Sequence, residues 1–264
     1  MPPRLAQIYP PPRTKTAPPP IFTPRTVALP AAVTLGALAC WAVDAPDFAV
    51  MLAAVATVWA MQLIAPAVRR RSLSMAGWAS EVLFAAPFVL FFLPYVAWTA
   101  IVRPAFAWDW AGAVLAVVVA AAVYASDWRR LRLGFDRELL ELMAPLRLST
   151  AALRSYQLLA AAIGQELFYR GVLFAFLVPV VGWWAVPVST VLFVVEHLGN
   201  RWAGTVINVA YVVRITVLST LLASIAYVTG SLWAAVLGHV TYNLFPVAQI
   251  VWHYRTNPYR GGAG

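Results

Sequence analysis

Residues 161–176 read AAIGQELFYRGVLFAF, an apolar run with Gln165, Glu166 and Arg170 near its centre. On insertion scales, a charged side chain in the middle of a membrane-spanning helix costs about 2.5–3.5 kcal/mol. Polar groups at such positions therefore need partners within the protein, and they are functional candidates by default. The stretch predicts a helix that turns a polar face toward the interior of a bundle of membrane helices.

The composition of the whole chain favours the same membrane setting. Of its 264 residues, 62% are hydrophobic and 11% are charged, and the mean hydropathy is +0.76. Soluble domains carry about 25% charged residues. The composition therefore excludes an ordinary soluble domain and predicts an integral membrane protein.

Eight apolar runs approach the length of about 20 residues that a helix needs to cross a hydrocarbon core of about 30 Å. The sequence thus predicts an all-α, polytopic membrane protein with about eight transmembrane helices and a catalytic core in the last four. The predicted spans are approximately residues 26–43, 48–68, 76–102, 106–125, 151–180, 184–200, 204–229 and 232–253.

These runs divide the chain into five predicted regions. We expect the leucine-bearing face of the linker among them to lie along the membrane surface, as amphipathic helices do. The regions are a disordered, basic, Pro-rich tail at 1–25, four amino-terminal transmembrane helices at 26–125, a cytoplasmic amphipathic linker at 126–150, a four-helix core at 151–253 and a flexible carboxyl-terminal tail at 254–264.

The distribution of basic residues predicts the orientation. If the amino terminus is cytoplasmic, every arginine and lysine except Arg103, Arg170 and Arg214 falls on the cytoplasmic side. Cytoplasmic loops of membrane proteins carry an excess of basic residues. Both termini are therefore predicted to be cytoplasmic, and the usage of alanine and arginine favours a bacterial plasma membrane.

Three motifs place polar side chains within the last four predicted spans. They are QELFYR at 165–170, FVVEH at 193–197 and HVTYN at 239–243, and the end residues of the second and third are four positions apart. Residues four apart share one face of a helix. Glu166 precedes Arg170 by four positions, which is the favoured order for an ion pair within one helix.

The polar residues of the three motifs are predicted to converge in one water-holding cavity. Counted at 1.5 Å per residue, they lie about 10–20 Å from the cytoplasmic ends of their spans. Hydrolysis of an amide needs a base that activates water and donors for the oxyanion. A carboxylate and a neutral histidine can share the water, while a second histidine and an asparagine amide donate to the oxyanion.

The motifs, in this order, resemble those of the CAAX prenyl endopeptidase and bacteriocin-processing (CPBP) family of intramembrane glutamic proteases. That family has the patterns E-E-x-x-x-R, F-x-x-x-H and H-x-x-x-N, and the resemblance covers about residues 150–250. It implies an intramembrane endopeptidase without a metal or another cofactor. Its implied catalytic residues are Gln165, Glu166, Arg170, His197, His239 and Asn243.

The resemblance also implies roles and partners. The residue at position 165 and His197 would hold the attacking water, and His239 with Asn243 would form the oxyanion site. Arg170 would order the first motif through its partner glutamate. The implied partners are the lipid bilayer and a protein or peptide substrate with a membrane-associated, often lipid-modified, C-terminal segment, with no nucleic acid.

Gln165 departs from the family pattern, in which a glutamate at this position activates the water. An amide has no proton equilibrium near neutral pH and cannot act as a general base. If position 165 is the place of the base, the loss of catalytic rate is about 10²–10⁴-fold or more. Three explanations are open: an engineered Glu-to-Gln variant that traps an inactive state, a natural non-proteolytic relative, or an enzyme in which Glu166 or Glu196 activates the water.

Two other classes of function compete with a protease. A membrane-binding scaffold would grip a membrane segment without cutting it, whereas a transporter would use Glu81, Glu196 and Arg214 as a polar pathway. The chain has no paired halves with matched Gly or Pro breaks, and Arg214 is expected to pair with a buried glutamate. A zinc site is disfavoured because the sequence has no H-E-x-x-H run and no cysteine pair.

Overall fold

The computed structural model describes residues 24–72, 92–199 and 209–259, together with Val82 and Ala86. Every regular element in these residues is helical, which confirms the predicted all-α class. Residues 1–23 of the predicted tail, Glu81 and residues 260–264 lie outside the described residues.

Within the described residues, four helices precede the predicted linker. The first two pack against each other, and the fourth has the N-cap residue Asp109, whose carboxylate accepts a hydrogen bond from the Gly112 backbone N–H at 2.5 Å. This is the usual N-cap interaction, which satisfies an amide that has no partner within the helix. The four are α1 (Pro24–Ala42), α2 (Pro46–Ser72), α3 (Leu93–Val102) and α4 (Trp110–Ala125).

The remaining described helices form the linker and carry the three motifs. A π-helical turn, Leu167–Val172, joins two of them without a break in the helical run. They are α5 (Trp128–Leu133), α6 (Arg137–Glu141), α7 (Leu148–Glu166), α8 (Leu173–Val181), α9 (Ala185–Gly199), α10 (Val209–Thr229) and α11 (Leu232–Thr256).

Three helical stretches in the described residues are long and apolar enough to cross a membrane: Leu148–Leu198, Val209–Thr229 and Leu232–Thr256. The first contains 51 residues, which would measure about 77 Å if straight at 1.5 Å per residue. It is interrupted at Gly182, where φ is +55°, between the predicted spans 151–180 and 184–200. The number of about eight spans stays a prediction.

Helix α11 is the central element of the described bundle, because it packs against α4, α7 and α10. Its Gly238 permits a close approach of these neighbours: a Cβ there would lie 2.4 Å from Leu222 Cδ2 and 3.1 Å from the Ala116 carbonyl oxygen. His239 follows directly and is buried. Further along α11, Pro246 lies inside the helix.

The predicted linker is helical only in part, and its position along the membrane surface stays a prediction. It forms two short helices, α5 and α6, and the side chains of Leu139 and Leu140 are buried in the protein. The Asn257 side-chain amide, just after α11, donates to the carbonyls of Leu140 (3.2 Å) and Met143 (2.7 Å). Part of the linker is therefore held by the protein near the end of α11, whereas Leu142 is exposed.

The predicted pairing of Arg214 with a buried glutamate is wrong. Arg214 on α10 forms an ion pair with Asp127, at the start of the linker, and both side chains are partly exposed. An ion pair that keeps access to water avoids most of the cost of burying two charges. Arg214 therefore does not pair with Glu196, as the polar pathway of a transporter would require.

We expect Gly238→Ala to lower the free energy of unfolding by about 1–3 kcal/mol, because the added methyl group overpacks a full interior. The matched control is Gly36→Ala in α1, where the new Cβ would lie 3.5 Å from Leu52 Cδ1, an ordinary contact. Thermal unfolding in detergent measures both. Equal stability of the two variants would contradict the close approach described for α11.

Candidate active site

The first motif lies where α7 passes into the π turn. Gln165 and Glu166 end α7, and Tyr169 and Arg170 lie within the π turn Leu167–Val172. Such turns are rare in proteins and occur frequently at functional sites. Gly171 fits the tight packing there, since a Cβ at this position would lie 2.9 Å from Pro104 Cγ.

Glu166 and Arg170 form a fully buried ion pair. Arg170 Nε lies 3.2 Å from Glu166 Oε2, and Nη1 donates to Oε1 at 3.3 Å. Both side chains are 0% exposed. Two charges without water are tolerable only when each neutralises the other and further hydrogen bonds are made, so this pair depends on the groups around it.

Arg170 also contacts two later helices. Its Nη2 donates to the backbone carbonyl of Ser219 at 2.9 Å and to the Ser219 hydroxyl at 2.5 Å, both on α10. Its guanidinium carbon lies 4.8 Å from the centre of the Phe193 ring on α9, a cation–π distance. One cation therefore fixes the π turn to α9 and α10.

His239 and His197 lie against the same phenyl ring. The ring centre of Phe193 is 4.2 Å from that of His197 and 5.7 Å from that of His239. His239 Nδ1 is also 2.8 Å from Glu166 Oε1. Two imidazoles from separate helices therefore contact the same phenyl ring.

The hydrogen bonds of the two histidines indicate which ring nitrogen carries a proton. His197 Nδ1 lies 2.9 Å from the Phe193 carbonyl oxygen, which can only accept, so Nδ1 holds the proton and Nε2 of the neutral ring is an acceptor. By the same reasoning, His239 Nδ1 donates to the carboxylate of Glu166.

Gln165 belongs to a second buried network, centred on Glu196. Gln165 Nε2 donates to Glu196 Oε1 at 2.5 Å, and the Tyr95 hydroxyl donates to the same oxygen at 2.8 Å. The Tyr169 hydroxyl donates to Glu196 Oε2 at 2.6 Å and accepts from Trp59 Nε1 at 3.3 Å. Gln165 and Glu196 are each only 3% exposed.

Asn243 is directed toward the backbone of α7. Its Nδ2 donates to the Leu158 carbonyl oxygen at 2.7 Å, so this side chain holds α11 against α7. An amide nitrogen has two protons, and this contact uses one of them. The structure thus brings Glu166, Arg170 and His239 into direct contact, whereas Gln165 and Asn243 bind other groups.

Sequence reasoning did not identify Tyr169, Ser219, Tyr95 or Trp59 as members of these networks. Tyr169 had a usable signal, because it lies four positions after Gln165 on the same helix face. Ser219 and Tyr95 had none, since a lone serine or tyrosine in a span is ordinary. Among the described residues, no group of three or more His, Cys, Asp or Glu side chains is placed to hold a metal ion.

Residues 148–245 match the family model of the type II CAAX prenyl endopeptidase Rce1-like proteins. The matched segment runs from the first residue of α7 into α11 and contains all three motifs. Comparisons with curated proteins and with solved structures give no match.

We expect Arg170→Met to cost about 3–5 kcal/mol of unfolding free energy, because it leaves the buried charge of Glu166 without its cation. The double variant Glu166→Gln/Arg170→Met should lose less than the single variant, since it removes both charges. Thermal unfolding in detergent measures these differences.

The control for this experiment is Arg137→Met. Arg137 also pairs with a glutamate four positions away, Glu141, at 2.8 Å, but the two side chains are 77% and 50% exposed. Exposed pairs contribute about 0–1 kcal/mol. A loss at Arg170 no larger than that at Arg137 would contradict the structural role assigned to the buried pair.

Proposed function

We propose that the chain is an intramembrane endopeptidase, because residues 148–245 match the family model of the type II CAAX prenyl endopeptidase Rce1-like proteins. Its substrate is a membrane-anchored or lipid-modified protein or peptide, cut near its C-terminus. The catalytic core is assigned to residues 151–253. Trp59 and Tyr95, from the preceding helices, support this core by their hydrogen bonds to Tyr169 and Glu196.

One observation carries the proposal: His197 and His239, from different helices, flank a single phenyl ring beside a buried carboxylate. His197 Nε2, as an acceptor, can take part in binding the attacking water. His239, with Glu166 on its Nδ1, can donate from Nε2 to an oxyanion when it is protonated. The second N–H of Asn243 is a further donor for the same oxyanion.

The proposed setting is a bacterial plasma membrane with both termini in the cytoplasm and the site opening toward the cytoplasmic half. The support for this orientation is the distribution of basic residues, nearly all of which fall on one side of the predicted spans. A membrane-anchored C-terminal segment entering from that side would meet the two histidines within the apolar bundle.

A second candidate is a non-proteolytic binding protein of the same fold. It is favoured by Gln165, whose amide cannot act as a base and instead donates to Glu196. Such a protein would bind the same membrane segments without cutting them. Binding of a tail peptide at equilibrium, with no product formed, is the signature of this alternative.

We expect His197→Ala and His239→Ala each to lower kcat/KM by about 10²–10⁴-fold, because each removes a group that acts on the water or the oxyanion. The assay uses the full chain in detergent or liposomes and a fluorogenic peptide with a farnesylated Cys-aliphatic-aliphatic-X terminus. The same peptide without the farnesyl group tests whether the lipid is needed.

The chain contains a matched control in its third histidine. His253 lies near the end of α11, 14 positions after His239. His253→Ala should change kcat/KM by no more than a few-fold in protein that remains folded. Equal losses in all three histidine variants would argue against a specific site around Phe193.

A further inference from the structure

Glu196 is a buried carboxylate that none of the three motifs contains as a defining residue. It lies one position before His197, is 3% exposed and accepts hydrogen bonds from Gln165, Tyr95 and Tyr169. A charged group is retained in an apolar interior only at considerable cost. A carboxylate held there by three donors therefore calls for a functional explanation.

We propose that Glu196 is the carboxylate that takes the proton of the attacking water, and that Gln165 is a positioning residue which holds it. This inference rests on the proposed endopeptidase function. The family pattern has the base at position 165 on α7, whereas this inference assigns it to Glu196 on α9. In this chain position 165 is an amide, and it donates a hydrogen bond to the Glu196 carboxylate.

The other buried carboxylate of the described core is already committed. Glu166 has Arg170 against both of its oxygens, at 3.2 and 3.3 Å, and His239 Nδ1 at 2.8 Å. Its charge is neutralised within the ion pair, and protonation would leave Arg170 as an uncompensated buried cation. Glu166 is therefore suited to hold Arg170 and His239 in place.

The hydrogen bonds to Glu196 have a different chemical character. All three donors named above are neutral: one amide and two phenol groups. These three bonds fix the direction of the carboxylate. Protonation of Glu166, by contrast, would break its direct ion pair with Arg170.

Glu196 and the two histidines are also linked through packing. Tyr169, which donates to Glu196, packs on Phe193 with the ring centres 5.5 Å apart. Phe193 in turn contacts His197 and His239. The carboxylate network and the imidazole pair thus contact the same aromatic side chain.

The proposed step balances in protons and electrons. The water oxygen attacks the carbonyl carbon of the scissile peptide bond while one water proton moves to the Glu196 carboxylate. The tetrahedral intermediate then collapses, the C–N bond breaks, and the leaving nitrogen takes the proton from Glu196. The products are a new carboxyl terminus and a free amine, and Glu196 returns to its ionised form.

An exchange of the two side chains tests the inference in the cleavage assay described above. We expect Glu196→Gln to lower kcat by about 10²–10⁴-fold with KM within a few-fold of its original value, since a base contributes to the transition state. We expect the double variant Gln165→Glu/Glu196→Gln to recover at least tenfold of that loss, because it returns a carboxylate to the other end of the same hydrogen bond.

Two controls separate catalysis from folding. Glu141→Gln changes an exposed carboxylate and should leave kcat unchanged, and thermal unfolding checks that each variant is folded. The pH profile of kcat gives a further readout. The acidic limb of this profile should lie at a different pH in the exchange variant than in the original chain, because the titrating carboxylate has a new environment. If Glu196 has a purely structural role, the acidic limb will be at the same pH in both.

The outcomes distinguish this inference from the proposed function. If Glu196→Gln is folded and as active as the original chain, Glu196 is not the base. If only the exchange variant cleaves, position 165 is the place of the base, the assignment of Glu196 fails, and the original chain is the non-proteolytic binding protein described above. If neither the original chain nor the exchange variant cleaves any prenylated or unprenylated tail peptide, the endopeptidase function and this inference both fail.

Discussion

The buried ion pair between Glu166 and Arg170 is the constraint around which the site is arranged. Neither charge is tolerable alone in an apolar interior, so the pair requires polar groups from other helices. Ser219 supplies two acceptors for the Arg170 guanidinium, and His239 donates a hydrogen bond to the Glu166 carboxylate. The π turn, α10 and α11 are thereby held in fixed positions relative to one another, and both imidazoles pack against Phe193.

The described core contains two buried polar networks, which connect different helices. The Glu166 network has a formal cation and anion, and it joins the first motif to α10 and α11. The Glu196 network has one carboxylate and neutral donors, and it joins the same motif to α3 and α9. Gln165 and Glu166 are neighbours in sequence but point into different networks, because adjacent helical residues are about 100° apart.

The sequence predicts local relationships well and long-range ones poorly. The Glu166–Arg170 pair followed from spacing alone, since i,i+4 geometry is fixed by the helix. The hydrogen bond from Tyr95 to Glu196 joins residues 101 positions apart, and no periodicity encodes it. Arg214 was assigned the wrong partner because hydropathy gives the depth of a residue but not which of several acids it faces. The π turn was also unpredictable, as its sequence reads like ordinary α-helix.

The proline within α11 has a mechanical consequence for the site. Pro246 cannot donate a backbone hydrogen bond and weakens the helix at that point, between His239 and the end of the helix where Asn257 grips the linker. A displacement of the linker is therefore expected to bend α11 at Pro246. The part of α11 that carries His239 is held by its contacts with α4, α7 and α10, so it would keep its position while the residues after Pro246 move.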